Sequence, residues 1–316
     1  MNLKHIIKNK HILVIGDSIL DHYIYGDVFR VSPEAPVPVI LKSRDEYALG
    51  GAANVAQNIT ALCAKCSLIS VIGNDNSAEI IRELSDRNNI TTYFITDNRP
   101  TTKKSRILGN NHQIARIDDE STKPIHNNIA MMIIEELTAI IDAIDGIIIQ
   151  DYGKGVISKE LVFSISEIAK SKNVTILTDP KNRDLSIYNG SSIIKPNLSE
   201  FKSALDIPHE TVLSMSDIEI YSHSLLEILE CDGILVTLSE RGMLYTTKDG
   251  SFHEEGINVA ITDVSGAGDT VSAVFILSII SGASIQESLA LANLAGSIVC
   301  QLPMSVPIRS ELLFDY

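Results

Sequence analysis

Short apolar runs alternate with helical spacing along almost the whole chain. Residues 12–15, 68–72, 146–149, 174–178, 192–194 and 234–238 are short apolar runs, several of them nearly continuous in β-branched residues. Such runs fit parallel strands covered on both faces. Between them, residues 52–64, 129–144 and 159–171 repeat apolar positions closer to every 3.6 residues, as amphipathic helices do. The alternation predicts an α/β fold, a doubly wound and mostly parallel sheet. Residues 37–48 and 91–118 lack the helical period. They are expected to form a small β lid beside a single domain spanning 1–316, with strands of the second excursion joined through Gly109-Asn110-Asn111-His112.

Polar residues follow five of the six strand candidates: Asp17, Asp151, Asp179, Asn197, and Thr237 with Ser239. Ligands bind outside the carboxyl ends of strands in open parallel sheets, so one extended site is expected along that edge, although loops are polar in any case.

The chain has 316 residues, with 26 Lys and Arg against 40 Asp and Glu, a net charge of −14. That balance argues against nucleic acid or an anionic membrane as the main partner. The longest apolar run, 271–283, is too short to span a bilayer. Gly16-Asp17 interrupts the first run too early for a secretory signal. Four cysteines without a second C-x-x-C pair fit a reduced compartment, and a cytoplasmic protein is expected.

The most specific motif is late. Asp263-Val-Ser265-Gly266-Ala267-Gly268-Asp269-Thr270 runs into the apolar segment 271–277. Two glycines allow successive N–H groups to face one point at a helix start, where an anion is favoured. Asp269 repels a phosphate there but suits a base that takes a proton from a hydroxyl attacking that phosphate. The same residues also fit a plain glycine helix start capped by Asp269.

With Gly16-Asp17, with Gly50-Gly51-Ala-Ala-Asn54 opening a helix, with Asn197-Leu-Ser-Glu200 and with Thr237-Leu-Ser239-Glu-Arg-Gly242, the chain resembles the ribokinase family of sugar kinases, the phosphofructokinase-B type, over essentially its full length. The segment GDSILDHYIYG over 16–26, Arg30, and SPEAPVPV over 32–39 are similar to the bacterial heptose 7-phosphate kinases of lipopolysaccharide-precursor synthesis. Asp151-Tyr152-Gly153-Lys154-Gly155 and Thr178-Asp179-Pro180-Lys181 agree with them too. Many of those kinases are fused to a nucleotidyltransferase. Its H-x-G-H signature is absent from this sequence, so the kinase half alone is expected.

The resemblance implies ATP, Mg²⁺ and a sugar phosphate as ligands, and transfer to the anomeric hydroxyl of D-glycero-D-manno-heptose 7-phosphate. It places Asp269 as base, with Gly266, Ala267 and Gly268 shaping the turn whose N–H groups stabilise the transferred phosphoryl group. Asp17, Asp21, Gly50, Gly51, Asn54, Asp151 and Lys154 fall on the sugar side. Asp179, Lys181, Asn197, Thr237, Ser239, Gly242 and Asn293 fall on the nucleotide side. Asn197 and Glu200, at i and i+3 of a helix start, suit Mg²⁺ through its waters or, equally, a capping box. Asp263 and Ser265 suit a monovalent cation such as K⁺. The substrate's own phosphate needs positive charge from the lid. Lys104 and Arg106 share a strand face and are favoured; a simple four-residue loop pairing Leu108 with Gln113 would turn Arg116 to the other face, unless a bulge intervenes. A homodimer through the lids is expected, since edge strands need covering. The alternatives are a kinase of the same family for another sugar, sugar phosphate or nucleoside, and a non-catalytic kinase-fold regulatory subunit. A Rossmann oxidoreductase fits less well, because no G-x-x-G follows Gly16.

Overall fold

Residues 12–15 are fully buried in strand β1 (His11–Gly16). Ile12 and Val14 face one core, and Leu13 and Ile15 the other. A strand covered on both faces has no polar alternation, which is why its sequence reads as a continuous apolar run. The computed structural model describes residues 3–110 and 112–314. The further strands are β2 (Ser18–Val31), β3 (Pro38–Gly51), β4 (Lys65–Ile72), β5 (Thr91–Thr96), β6 (Lys103–Gly109), β7 (His112–Asp119), β8 (Gly146–Gln150), β9 (Thr175–Asp179), β10 (Ile193–Ile194), β11 (Gly233–Thr237), β12 (Met243–Thr247) and β13 (Gly250–Glu254). The helices are α1 (Leu3–Ile7), α2 (Ala52–Ala61), α3 (Asn76–Arg87), α4 (Asn127–Ile140), α5 (Lys159–Ser171), α6 (Leu198–Ala204), α7 (Met215–Leu229), α8 (Ala267–Ile280), α9 (Ile285–Val299) and α10 (Ser310–Phe314).

Nine strands form one sheet in the order β13-β12-β11-β10-β9-β8-β1-β4-β5, parallel from β11 to β5 and closed at one edge by antiparallel β12 and β13. Helices α2, α8 and α9 cover one face and α4, α5 and α7 the other. This is the doubly wound sheet expected, and each of the six apolar runs lies on one of its strands. Helix α8 is apolar all round, because it packs on the sheet with one side and under α2 and α9 with the others.

The second sheet has the order β3-β2-β6-β7. Its make-up corrects the expected lid in two ways. Residues 91–96 are not part of it: β5 pairs in parallel with β4 at the edge of the main sheet. Conversely, residues 18–31 form a long strand of it. Asp17 alone separates β1 from β2, so the chain passes from one sheet to the other within a single residue. Of the turn expected at 109–112, Asn111 lies outside the described residues, and Gly109 pairs with His112.

A register shift between Ile107 and Leu108 changes the placement of the cations. Leu108 pairs with Gln113 as expected, but the extra residue on β7 sets Arg106 directly opposite Arg116. Directly paired residues share a face, so the expectation that Arg116 points away from Arg106 is corrected. The bulge supplies the reason.

Candidate active site

The carboxyl ends of β8, β9 and β11, together with the head of α8, enclose a cleft of about 190 Å³. Its lining includes Asp151, Asp179, Lys181, Asn197, Glu200, Thr237, Gly268 and Asp269, all expected from sequence. Gln150, Tyr152 and Lys195 line it as well, without a role expected from sequence.

Asp269 occupies the third position of α8 and does not cap it; Gly266 is the N-cap, in the left-handed region at φ 79°. A Cβ on Gly266 would stand 2.6 Å from Asn54 Nδ2, so glycine lets α2 and the α8 turn meet. Thr270 N–H closes on the Gly266 carbonyl, and Ala267 N–H points to the Val264 carbonyl at 3.3 Å. The N–H groups of Gly268 and Asp269 belong to the first helical turn, which has no intrahelical acceptor. With Ala267 N–H turned to Val264, the N–H groups left to face an anion there are those of Gly268 and Asp269, a narrower set than the three expected.

The Asp269 side chain is buried, and three donors converge on it. Asn54 Nδ2 donates to Oδ2 at 2.7 Å; Tyr152 Oη and Gln150 Nε2 donate to Oδ1 at 2.8 and 3.2 Å. Burial pushes its pKa up to about 7, and Asp179 nearby adds to the rise, while the bonds from Asn54 and Tyr152 and the charge of Lys195 oppose it. A carboxylate poised near neutrality is a competent general base. Asn54 thus orients the Asp269 carboxylate with one N–H of its amide.

Asp179 accepts from Gln150 Nε2 at 3.0 Å, pairs with the buried Lys195 ammonium at 3.0 Å, and accepts from Ser272 Oγ at 3.3 Å. The Lys195 ammonium lies 3.7 Å from where a Gly268 Cβ would be, beside the anion turn. A buried cation there complements a phosphoryl group in a low-dielectric cleft. Its sequence signal is a lysine immediately after the apolar Ile193-Ile194 strand.

Asn197 and Glu200 form a reciprocal capping box at the start of α6, and Glu200 Oε1 also meets Lys181 Nζ at 3.2 Å. Among the described residues no three acidic, Cys or His side chains cluster as a closed metal cage. That donor set still suits Mg²⁺, which keeps water and substrate phosphate as most of its ligands.

On the sugar side the side chains are more engaged than expected. Asp17 is buried; its carboxylate accepts the N–H groups of Tyr152, Lys154 and Val156 at 2.8, 3.0 and 3.3 Å and so holds the loop after β8. Burial raises its pKa to about 6 against those bonds. Asp151 accepts from Gly153 N–H and the Tyr188 hydroxyl. Gly50 and Gly51 allow close approach: a Cβ on Gly50 would meet Asp21 Oδ2 at 2.6 Å, and one on Gly51, at φ 58°, the Asp17 carbonyl at 2.3 Å.

Of the four cations, Arg106 pairs with the buried Asp21, Arg116 with Asp118, and Lys154 with Glu120. Lys104 has no carboxylate within ion-pair distance among the described residues. Its ammonium lies 5.8 Å from the centre of the Tyr152 ring.

Ser239, Gly242 and Asn293 stand apart from the cleft lining. Gly242, at φ 81°, would place a Cβ 1.9 Å from the Glu254 carbonyl, and Asn293 Nδ2 donates to the Glu255 carbonyl at 2.7 Å. These contacts fix the two loops beyond β11 and β13. Asp263 accepts from the N–H groups of Ser265 and Met304, binding the turn before α8 to the segment after α9.

The family model of pfkB family carbohydrate kinases matches residues 9–307. The chain therefore belongs to the pfkB family of carbohydrate kinases. Among curated proteins it is 37% identical over 315 residues to the bifunctional protein HldE of Helicobacter hepaticus, covering 97% of this chain and 64% of that protein. It is 34% identical to the HldE of Bradyrhizobium diazoefficiens, covering 98% and 63%. The chain thus spans less than two thirds of these relatives' own length. Among solved structures, phosphofructokinase-2 from Escherichia coli in complex with potassium superposes with a TM-score of 0.80 at 15% identity, over 97% of this chain and 98% of that one. Arabidopsis thaliana ribokinase complexed with ribose and ATP gives 0.73 at 18%, over 97% and 99%. At these identities the likeness is one of fold. Among the described residues no helix is long and apolar enough to cross a membrane.

Proposed function

We propose that the chain transfers the γ-phosphoryl group of ATP to the anomeric hydroxyl of D-glycero-D-manno-heptose 7-phosphate, giving the 1,7-bisphosphate. The observation that carries the chemistry is the buried Asp269 carboxylate, held by Asn54, Gln150 and Tyr152 at the head of α8. The sugar is supported by the 34–37% identity to the two HldE proteins and by the 16–39 segment similar to heptose kinases.

In this mechanism Asp269 Oδ1 receives the proton of the attacking hydroxyl as the O–P bond forms, and ADP leaves with the electron pair of the broken bond. The N–H groups of Gly268 and Asp269 and the Lys195 ammonium hold the equatorial oxygens of the moving phosphoryl group. Mg²⁺ bound on the Asn197 and Glu200 side would neutralise the nucleotide phosphates. Lys181 and Thr237 border the same pocket. The oxygens of Asp263 and Ser265 would hold a monovalent cation beneath the turn.

Lys104, the cation left without a carboxylate, is the first contact for the substrate's own phosphate, and Arg106 joins it from the Asp21 pair. Exposed Phe29, Val31, Leu41 and Ile117 of the second sheet would be covered by the same sheet of a second copy.

ADP release measured over a panel of sugars and sugar phosphates tests the proposal. The heptose 7-phosphate is expected to have the highest kcat/KM. A panel in which an unphosphorylated sugar or a nucleoside surpasses it would overturn the choice of substrate.

A further inference from the structure

The base of this site is occupied in the structure, and only one of its occupants resembles a substrate. Asn54 and Gln150 are buried amides on α2 and at the end of β8, fixed by regular structure. The third donor, Tyr152, is a hydroxyl. It lines the cleft, is partly exposed, and precedes Gly153 and Gly155, both at positive φ, 67° and 83°. A sugar hydroxyl that is to lose its proton to Asp269 must donate to the same carboxylate from the cleft side, where the Tyr152 hydroxyl now does so at 2.8 Å.

We infer that the Tyr152 phenol is a placeholder: in the empty enzyme it donates to Asp269 Oδ1 in the position of the acceptor hydroxyl, and the sugar displaces it on binding. This rests on Asp269 as the base of the proposed reaction. The backbone need not move. Asp17 holds the N–H groups of Tyr152, Lys154 and Val156, Asp151 holds that of Gly153, and Arg99 Nη1 donates to the Lys154 carbonyl at 2.9 Å. The exchange is a rotation of one side chain about its Cα–Cβ bond, in which one hydroxyl donor replaces another. It keeps a third donor on the buried carboxylate when no sugar is present, beside those of Asn54 and Gln150. The charged groups around the pair are Asp179 and Lys195 on the Asp269 side and Asp21 and Lys104 on the Tyr152 side.

The test is Tyr152→Phe, which removes one oxygen and leaves the ring. The probe is the sugar phosphate that the wild type turns over best in the panel above, on our reading D-glycero-D-manno-heptose 7-phosphate. A different best substrate would revise that reading and leave the following criteria in force. At pH 8.5, calorimetric titration without nucleotide is expected to show binding about tenfold tighter in the variant, since no hydrogen bond to a charged group has to be broken first. The gain in kcat/KM is expected to come from KM. The acid limb of kcat/KM, which reports the free enzyme, moves to higher pH because a bond that lowers the Asp269 pKa is gone, whereas the limb of kcat stays. A purely structural role for Tyr152 would shift both limbs or neither. Binding that is unchanged or weaker overturns the inference. So does a hundredfold fall in kcat at constant KM, which would place Tyr152 in the transition state.

Discussion

Replacing Asp269 by Asn separates the base from the rest of the site. General-base catalysis contributes about 10² to 10⁴ in rate, so kcat should fall by that factor, roughly 2.7–5.5 kcal/mol in barrier. Nucleotide affinity should hold, because the Gly268 and Asp269 N–H groups are backbone. Three donors converge on the carboxylate, whereas an amide offers one oxygen and two further N–H groups. At least one facing donor then loses its acceptor, at about 1–3 kcal/mol of stability at any pH. A second effect depends on pH and has the opposite sign. The Asp269 pKa is raised from 3.8 to about 7, so between those values the native state binds more protons than the unfolded chain. Stability is fully present below pH 3.8 and is lost as pH rises to about 7. The Asn variant lacks that loss, on the order of 4 kcal/mol, so its Tm relative to wild type should improve between pH 4 and pH 8. Asp17 titrates in the same direction in both proteins and drops out of the difference. Coupled ADP-release kinetics at pH 8 and melting curves at both pH values measure the two effects. A variant within tenfold of wild-type kcat, or a wild-type kcat/KM that is flat from pH 5.5 to 8, would refute Asp269 as the base.

Gly266→Ala should lower kcat at least tenfold with little change in fold, because its Cβ would push on Asn54 Nδ2 and so disturb the donor to Asp269; unchanged steady-state kinetics would show that the base is positioned otherwise. Lys104→Ala should raise KM for the sugar phosphate and leave KM for ATP unaltered, with Tm within about 1 °C. Arg106→Ala should raise the same KM and also cost about 3–5 kcal/mol by stranding the buried Asp21, which chemical denaturation can measure. Chelating divalent ions should abolish turnover, and Glu200→Gln should raise the Mg²⁺ concentration needed for half-maximal rate; an unshifted requirement would leave Glu200 as a helix cap alone.

Six strands of the main sheet were legible because parallel strands buried on both faces leave apolar runs; β5, β12 and β13 were not among them. The second sheet was not, since alternation marks a strand without saying which sheet it joins. Residues 91–96 pair with β4 and not with β6, and β2 follows β1 after one residue. The bulge that turns Arg116 to the face of Arg106 has no sequence mark, because one inserted residue looks like any other. The glycine turn at the head of α8 was readable from spacing, since the left-handed conformation at Gly266 favours glycine. Asn54, Asp17 and Asp151 were placed at the site from sequence, but their hydrogen-bonding duties were not visible. Each binds a group far along the chain: Asn54 meets Asp269, Asp17 the 152–156 loop, and Asp151 Tyr188. Lys195 and Gln150 went unassigned because their charge and amide matter only once β8, β9 and β10 lie side by side.

The most direct measurement is ³¹P NMR of the product formed from ATP, Mg²⁺ and D-glycero-D-manno-heptose 7-phosphate. Phosphorylation at the anomeric position predicts a second sugar phosphate resonance coupled to the anomeric proton, accompanied by stoichiometric ADP and absent with Asp269→Asn. A new phosphate coupled to any other sugar proton, or robust turnover of ribose, fructose 6-phosphate or adenosine with none of the heptose phosphate, would contradict it.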